Sequence, residues 1–161
     1  MWASEHSGSL SPADDPTDIE VTMLLCDSAQ SMAGKLYILG GGWTQVIVPT
    51  GAPVTMALAI RMRIPWDRAN DQFPVKAFLA NSDAEPIEVE GAPPIEASGV
   101  IEVGRPPGLE RGSPLDAMMA FNFPGLPLQP GPYVWIFEVA GEPRARANFV
   151  VRHVNVGLIG G

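Results

Sequence analysis

The segment VTMALAIRMRI, residues 54–64, alternates large apolar side chains with smaller or polar ones along its whole length. The apolar positions are Val54, Met56, Leu58, Ile60, Met62 and Ile64, and the positions between them are Thr55, Ala57, Ala59, Arg61 and Arg63. Successive side chains of a strand point to opposite faces of the sheet, so one set covers a core and the other meets water. The segment therefore predicts a long strand in a β-rich fold.

The composition indicates one folded domain around that strand. The chain has 161 residues, 46% apolar and 17% charged, whereas disordered chains combine low hydrophobicity with high charge. Its 17 glycines and 17 prolines lie between apolar runs, as the turns of an all-β protein do. A helical bundle is excluded on the same ground.

Further strand-like segments surround residues 54–64. They are 19–26, 36–39, 43–48, 73–81, 87–103 as one or two weaker strands, 116–123, 133–139 and 144–151. Short segments separated by frequent turn signals predict an all-β, antiparallel two-sheet sandwich (Ig-like or C2-like) of 7–9 strands. An open barrel is the alternative architecture.

Two local signals interrupt the strand pattern early in the chain. Asp27 followed by Gln30 has the spacing of a capping box, which predicts one short helical turn ending at Gly34. The triple glycine at 40–42 favours a bulge or a close backbone approach.

The two ends of the chain differ from the middle in composition. Residues 1–18 are rich in Ser, Asp and Pro and are expected to form a flexible acidic tail, followed by a sandwich domain at 19–153 and a C-terminal tail at 154–161. Neither a signal peptide nor a membrane-spanning run is apparent, and Cys26 is the single cysteine. A cytoplasmic location is therefore expected.

The charge of the chain bears on its partners. The formal net charge is −8 at pH 7, and the two lysines and eight arginines are scattered along the sequence. Nucleic acids and anionic membranes attract clustered basic residues, so neither is an expected partner.

Residue types that carry chemistry are sparse. His6 and His153 lie near the two ends, and a metal site needs three or four well-spaced ligands. Cys26 lies on an apolar segment and is expected to be a small core residue. No serine lies in a nucleophile-elbow motif, and the glycines at 40–42 are followed by another strand rather than a helix. The sequence thus predicts no catalytic residue, metal or cofactor.

The polar loop after residue 64 is the main alternative. Trp66, Asp67, Arg68, Asn70 and Asp71 lie close together there, and the side-chain oxygens of Asp67, Asn70 and Asp71 are of the type that binds calcium. The same residues commonly form turns, and Arg68 is placed to neutralise one carboxylate. This loop leaves two alternative functions open. One is a small-ligand or carbohydrate site near Trp43 and Trp66, and the other is a hydrolase that uses Asp67.

The last strands carry apolar residues on both faces. If residues 116–123 and 133–139 form a hairpin, Met118, Val134 and Ile136 lie on a second apolar face. Either the C-terminal residues Val154, Val156, Leu158 and Ile159 or another protein would cover that face. A partner or self-association surface is the hypothesis drawn from it.

Three segments carry a resemblance to a known family: LLCDSAQ at 24–30, GKLYILGGGW at 34–43 and IPWDRAN at 64–70. Over about 19–153 the chain resembles a bacterial domain family of unknown function. The resemblance implies no activity, cofactor or site residue. The sequence as a whole therefore predicts a non-enzymatic protein-interaction or assembly module.

Overall fold

The computed structural model describes residues 18–157 and contains nine strands. They are β1 (Glu20–Met32), β2 (Lys35–Gly41), β3 (Gln45–Pro49), β4 (Val54–Ile64), β5 (Gln72–Ala80), β6 (Glu96–Glu102), β7 (Leu115–Leu126), β8 (Gly131–Val139) and β9 (Glu142–Val154). Among the described residues the one helical segment is a 3-10 turn at Trp66–Arg68. Except for Asp18, the predicted N-terminal tail lies outside the described residues.

The strands form two sheets packed face to face. The first has the order β2-β1-β4-β7 and the second the order β3-β9-β8-β5-β6. Every neighbouring pair is antiparallel except β3 with β9. The predicted two-sheet sandwich is therefore confirmed.

One predicted strand pairing is wrong. β7 pairs with β4 in the first sheet, whereas β8 pairs with β5 and β9 in the second. The connection between β7 and β8 crosses from one sheet to the other, so the two strands do not form the expected hairpin. Strand length and turn residues are local signals, and they do not encode which sheet a strand joins.

The core lies between the sheets and centres on β4 and β8. The large apolar side chains of β4 are fully buried, as the alternation at 54–64 predicts. Opposite them, Trp135 stacks on Phe123 with ring centroids 4.4 Å apart, and its indole Nε1 donates to the Met56 Sδ at 3.1 Å. The one polar atom of this large buried ring is thereby partnered.

The other face of β4 is also covered, which the alternation does not predict. Ala57 and Ala59 are buried against Cys26 and Ala29 of β1. Among the outward residues of β4, Thr55 is exposed, and Arg61 and Arg63 are half-buried. The covering element is the hairpin of β1 and β2.

The predicted helical turn at 27–34 is wrong, because β1 continues as a strand to Met32. Ala33 and Gly34 then turn the chain with φ of 51° and 72°, and Met32 pairs directly with Lys35. Two consecutive residues with positive φ form the tight turn that matches the twist of a hairpin. The capping-box spacing of Asp27 and Gln30 therefore falls within a strand.

β1 changes partners along its length. Residues up to Cys26 pair with β4, and residues from Cys26 onward pair with β2. Beyond that point the Asn122 side chain of β7 binds Ala29: the Ala29 N–H donates to Asn122 Oδ1 at 3.2 Å, and Asn122 Nδ2 donates to the Ala29 carbonyl at 2.8 Å. One amide side chain thus takes the place of a neighbouring strand and fastens the hairpin over the sheet.

Candidate functional site

The largest exposed apolar side chains of the first sheet lie on the β1–β2 hairpin. Met32, Tyr37 and Leu39 are 51%, 52% and 70% exposed. Gln30 pairs with Tyr37 and Ser28 with Leu39, and paired residues share one face of an antiparallel ladder. These three side chains form a surface that we call the hairpin face, with no acidic residue in it.

β2 is also an edge strand, with no further strand beside it among residues 18–157. In a two-residue hairpin the closing pair, here Met32 and Lys35, exchanges both backbone hydrogen bonds, and every second pair does the same. The N–H and C=O groups of Leu36, Ile38 and Gly40 therefore point away from β1. They form a row of unpaired donors and acceptors beside an apolar face.

The other three edge strands carry features that discourage pairing. β3 has only five residues and ends in Pro49. β6 begins and ends with the carboxylates Glu96 and Glu102. β7 carries Asp116 and Pro124. Short length, charge and proline protect sheet edges from other chains, and β2 has only the single charge of Lys35.

The glycines that end β2 are explained by close packing. Gly40 has φ of 59°, and the Asp27 carboxylate occupies the position that a Cβ at residue 40 would take. A Cβ at Gly41 would lie 2.9 Å from Ile38 and 3.0 Å from Leu24. Side chains therefore approach the backbone closely at Gly40 and Gly41 but not at Gly42, and β2 stays paired with β1 to Gly41. The Asp27 carboxylate lies over the end of the β2 edge.

The two tryptophans of the small-ligand hypothesis have different surroundings. Trp43 lies on the connection between β2 and β3 and meets the Phe149 ring edge-on, with centroids 6.0 Å apart. Trp66 lies in the 3-10 turn after β4, with the Arg105 guanidinium 4.6 Å above its ring. The two rings therefore pack against different partners, Phe149 and Arg105.

A depression of about 370 Å³ lies near Trp43 on the second sheet. It is lined by Thr44, Ser82, Pro132, Tyr133, Val134, Asn148, Phe149 and Val150. Its volume falls in the range of small-molecule pockets, but no lysine, arginine, histidine or carboxylate lines it. Phe149, which meets the Trp43 ring, lines the depression, but Trp43 itself does not.

The polar loop at 66–71 is held by contacts within the protein. Arg68 binds the Asp71 carboxylate at 2.8 Å and lies over the Phe73 ring, so it neutralises one carboxylate. The Asn70 N–H donates to the Val103 carbonyl at 2.8 Å, with Asn70 at φ of 66°. Asp67 is exposed on the 3-10 turn. Residues 18–157 contain no group of three or more His, Cys, Asp or Glu that could hold a metal ion.

Met118, Val134 and Ile136 do not form one surface. Met118 pairs with Arg61 on the outer face of the first sheet, while the other two belong to the second sheet. Val134 and Ile136 are only 4% and 2% exposed, and Ala84 of the loop at 81–86 packs against them. The prediction that they face a partner is wrong, because this loop and neighbouring strands cover them.

The C-terminal residues do not supply that cover where the structure describes them. Val154 and Val156 are exposed, and neither belongs to the cluster around Val134. Leu158 and Ile159, the other half of the predicted cover, lie outside the described residues. The described cover of Val134 and Ile136 therefore comes from β5 and the loop that follows it.

Within residues 18–157, two titratable side chains have shifted pKa values, and both have structural roles. Burial, reinforced by the neighbouring Asp27 carboxylate, raises the pKa of the Cys26 thiol. Burial also raises the pKa of Tyr133, whose hydroxyl donates to the Gln129 carbonyl at 2.7 Å. A thiol with a raised pKa is a weak nucleophile at neutral pH, which agrees with the predicted core role of Cys26.

Sequence reasoning missed the hairpin face. Its local signal is the pair Ala33-Gly34, with a glycine that can take positive φ, followed by the apolar run Leu36 to Leu39. The capping-box spacing of Asp27 and Gln30 competes with that signal over the same residues. Distant contacts decide between them, since Ala29 is held by a residue of β7.

Sequence comparison identifies the family of this chain. The profile of the Family of unknown function (DUF6941) matches residues 21–152, and the chain belongs to that family. No curated protein matches the chain. The expected resemblance to a family of unknown function is thereby confirmed.

Solved structures show only distant likenesses. An alkylpurine DNA glycosylase of Pseudomonas fluorescens is 12% identical with a TM-score of 0.44, and a β-glucosidase of Listeria innocua is 8% identical with a TM-score of 0.42. The matches cover 83% and 86% of this chain but only 30% and 16% of those chains. An immunoglobulin-like protein of Pseudomonas aeruginosa is 13% identical with a TM-score of 0.42, and the match covers 86% of this chain and 99% of that one. None of the three likenesses transfers an activity to this chain.

No helix within residues 18–157 combines the length and apolar character needed to cross a bilayer.

Proposed function

We propose that this member of the Family of unknown function (DUF6941) is a non-enzymatic interaction or assembly module that binds another polypeptide along β2. The observation that carries the proposal is the free β2 edge beside the exposed hairpin face. An extended segment that adds to such an edge gains backbone hydrogen bonds for affinity, and its alternate side chains meet the apolar face for specificity.

The rigidity of the hairpin supports this role. Its inner face is packed on Ala57 and Ala59, and Asn122 holds its backbone at Ala29. A binding edge that is already ordered loses less conformational entropy when a partner docks. The hairpin therefore presents Tyr37 and Leu39 in a fixed arrangement rather than on a mobile loop.

The same proposal places the domain in the cytoplasm and gives it no catalytic role. A single buried thiol at Cys26 suits a reducing compartment. Asp67, the candidate for a hydrolase, is exposed beside the Arg68–Asp71 ion pair rather than in a cleft with a second acid or base. An interaction at β2 needs neither group.

Affinity capture from cells of the source organism tests the proposal. The bait is the full chain, compared with Leu39→Lys on β2 and with Ile47→Lys, a matched change at an exposed position of edge strand β3. Proteins, including untagged copies of the chain, should be retained by the wild type and by Ile47→Lys and lost by Leu39→Lys. An identical set of retained proteins for all three baits would refute binding at β2.

A further inference from the structure

We infer that the polypeptide that docks on β2 is a second copy of this chain, paired antiparallel through its own β2. This inference rests on the proposed function and names its partner. The two four-stranded sheets would join into one eight-stranded sheet across a two-fold axis perpendicular to it. Three observations support this partner: the backbone pattern of the edge, its side-chain pattern and its charges.

The backbone groups of β2 are complementary to themselves. The outward N–H and C=O groups belong to Leu36, Ile38 and Gly40, which are spaced symmetrically about Ile38. With the axis at Ile38, each Ile38 faces its copy, and Leu36 faces Gly40 of the other chain. This register satisfies all three outward residues and forms about six backbone hydrogen bonds.

The same register brings the exposed side chains together. Tyr37 of one chain lies opposite Leu39 of the other, and the axis repeats that contact. Cross-strand pairs of an aromatic with an aliphatic side chain stabilise a sheet, and both of these side chains are more than half exposed in the single chain. Pairing would therefore cover the largest apolar part of the hairpin face.

The charges at the two ends of β2 are opposite. Lys35 begins the strand, and the Asp27 carboxylate lies over Gly40 near its end. Antiparallel pairing about Ile38 places Lys35 of each chain opposite Gly41 of the other, at the end of the strand where Asp27 lies over Gly40. The two lysines stay at opposite ends of the contact. This local attraction opposes the general repulsion between two chains of charge −8, which salt screens.

Sedimentation of the purified full chain over a range of concentrations tests the inference. The wild type is expected to shift from a mass of 17.1 kDa to twice that mass as concentration rises. Leu39→Lys should raise the dissociation constant by about tenfold or more, because the change is repeated on both sides of the axis. The control Ile47→Lys should leave the dissociation constant unchanged.

Two further measurements distinguish this pairing from another dimer. Lys35→Glu puts a negative charge at the end of the contact where the other chain's Asp27 lies, so it should weaken association, and more strongly at low salt. Hydrogen exchange at the amides of Leu36, Ile38 and Gly40 should slow as concentration rises. Equal melting temperatures of the variants and the wild type at dilute concentration would show that the fold is intact.

A monomeric wild type at all concentrations would overturn the second copy as partner. A dimer that Leu39→Lys leaves intact, or one without protection at Ile38, would overturn it equally. Even with these results, the proposed function is supported if the wild type retains a different protein in the capture experiment and Leu39→Lys does not. If capture is also unaffected by Leu39→Lys, the proposed function fails as well.

Discussion

Asn122→Ala should destabilise the protein because one side chain partners both backbone groups of Ala29. The two hydrogen bonds measure 3.2 and 2.8 Å, and Ala29, a residue of β1, is buried against Ala57 and Ala59 of β4. Each hydrogen bond contributes about 1 kcal/mol net, and because Asn122 is exposed, water can replace part of the loss. We expect a loss of about 1–2 kcal/mol in the free energy of unfolding.

Urea denaturation followed by tryptophan fluorescence measures this loss. The midpoint should fall while the slope of the transition stays the same, because the surface exposed on unfolding is unchanged. Asn148→Ala is the matched control, since Asn148 is exposed on β9 and a surface change of this kind costs less than about 0.5 kcal/mol. Asn122→Asp keeps the shape but loses the donor to the Ala29 carbonyl, so it should also be destabilising.

An Asn122→Ala variant as stable as Asn148→Ala would refute the view that this amide replaces a neighbouring strand. If the view is correct, the Asn122→Ala variant should also show faster hydrogen exchange at Ala29 than at residues of β4. Because Asn122 holds the hairpin, the variant should bind more weakly through β2 as well.

Two further predictions concern the turn glycines and the buried titratable groups. Gly40→Ala should cost more stability than Gly51→Ala. Both glycines have positive φ, but only at Gly40 does the Asp27 carboxylate occupy the Cβ position. Thermal melts of the two variants measure the difference, and equal losses would contradict the close-packing argument. The raised pKa values of Cys26 and Tyr133 favour the neutral groups in the folded state. The free energy of unfolding should therefore fall as pH rises above about 8.5, the ordinary thiol pKa. Urea titrations from pH 7 to 10 should show a smaller fall for Cys26→Ala and Tyr133→Phe than for the wild type.

The fold class was predictable because strand periodicity is a property of a short stretch of backbone. The segment 54–64 coincides with β4, and the alternation at 133–139 lies within β8. Both segments carry apolar side chains at every second position, which only an extended chain can direct to one face. The frequent glycines and prolines between the strand segments limit the lengths of the strands.

The candidate site was less predictable because competing local signals cover the same residues. Asp27 and Gln30 match a helix cap, while Ala33-Gly34 matches a hairpin turn. The hairpin forms because Ala29 packs on β4 and is held by Asn122, 93 positions further along the chain. The polar residues of the loop at 66–71 indicated a candidate ligand or metal site. In the structure they bind one another and the segment at 103–105.

By itself the sequence determined that apolar strands would close into a two-sheet sandwich, because the backbone directs alternate side chains to opposite faces wherever the strand later lies. Only the tertiary structure decided that β7 and β8 join different sheets, that Val134 and Ile136 are covered, and that β2 is left as an open apolar edge. Pairing and cover depend on groups that are distant in the chain and meet only when it has folded, so no local pattern records them.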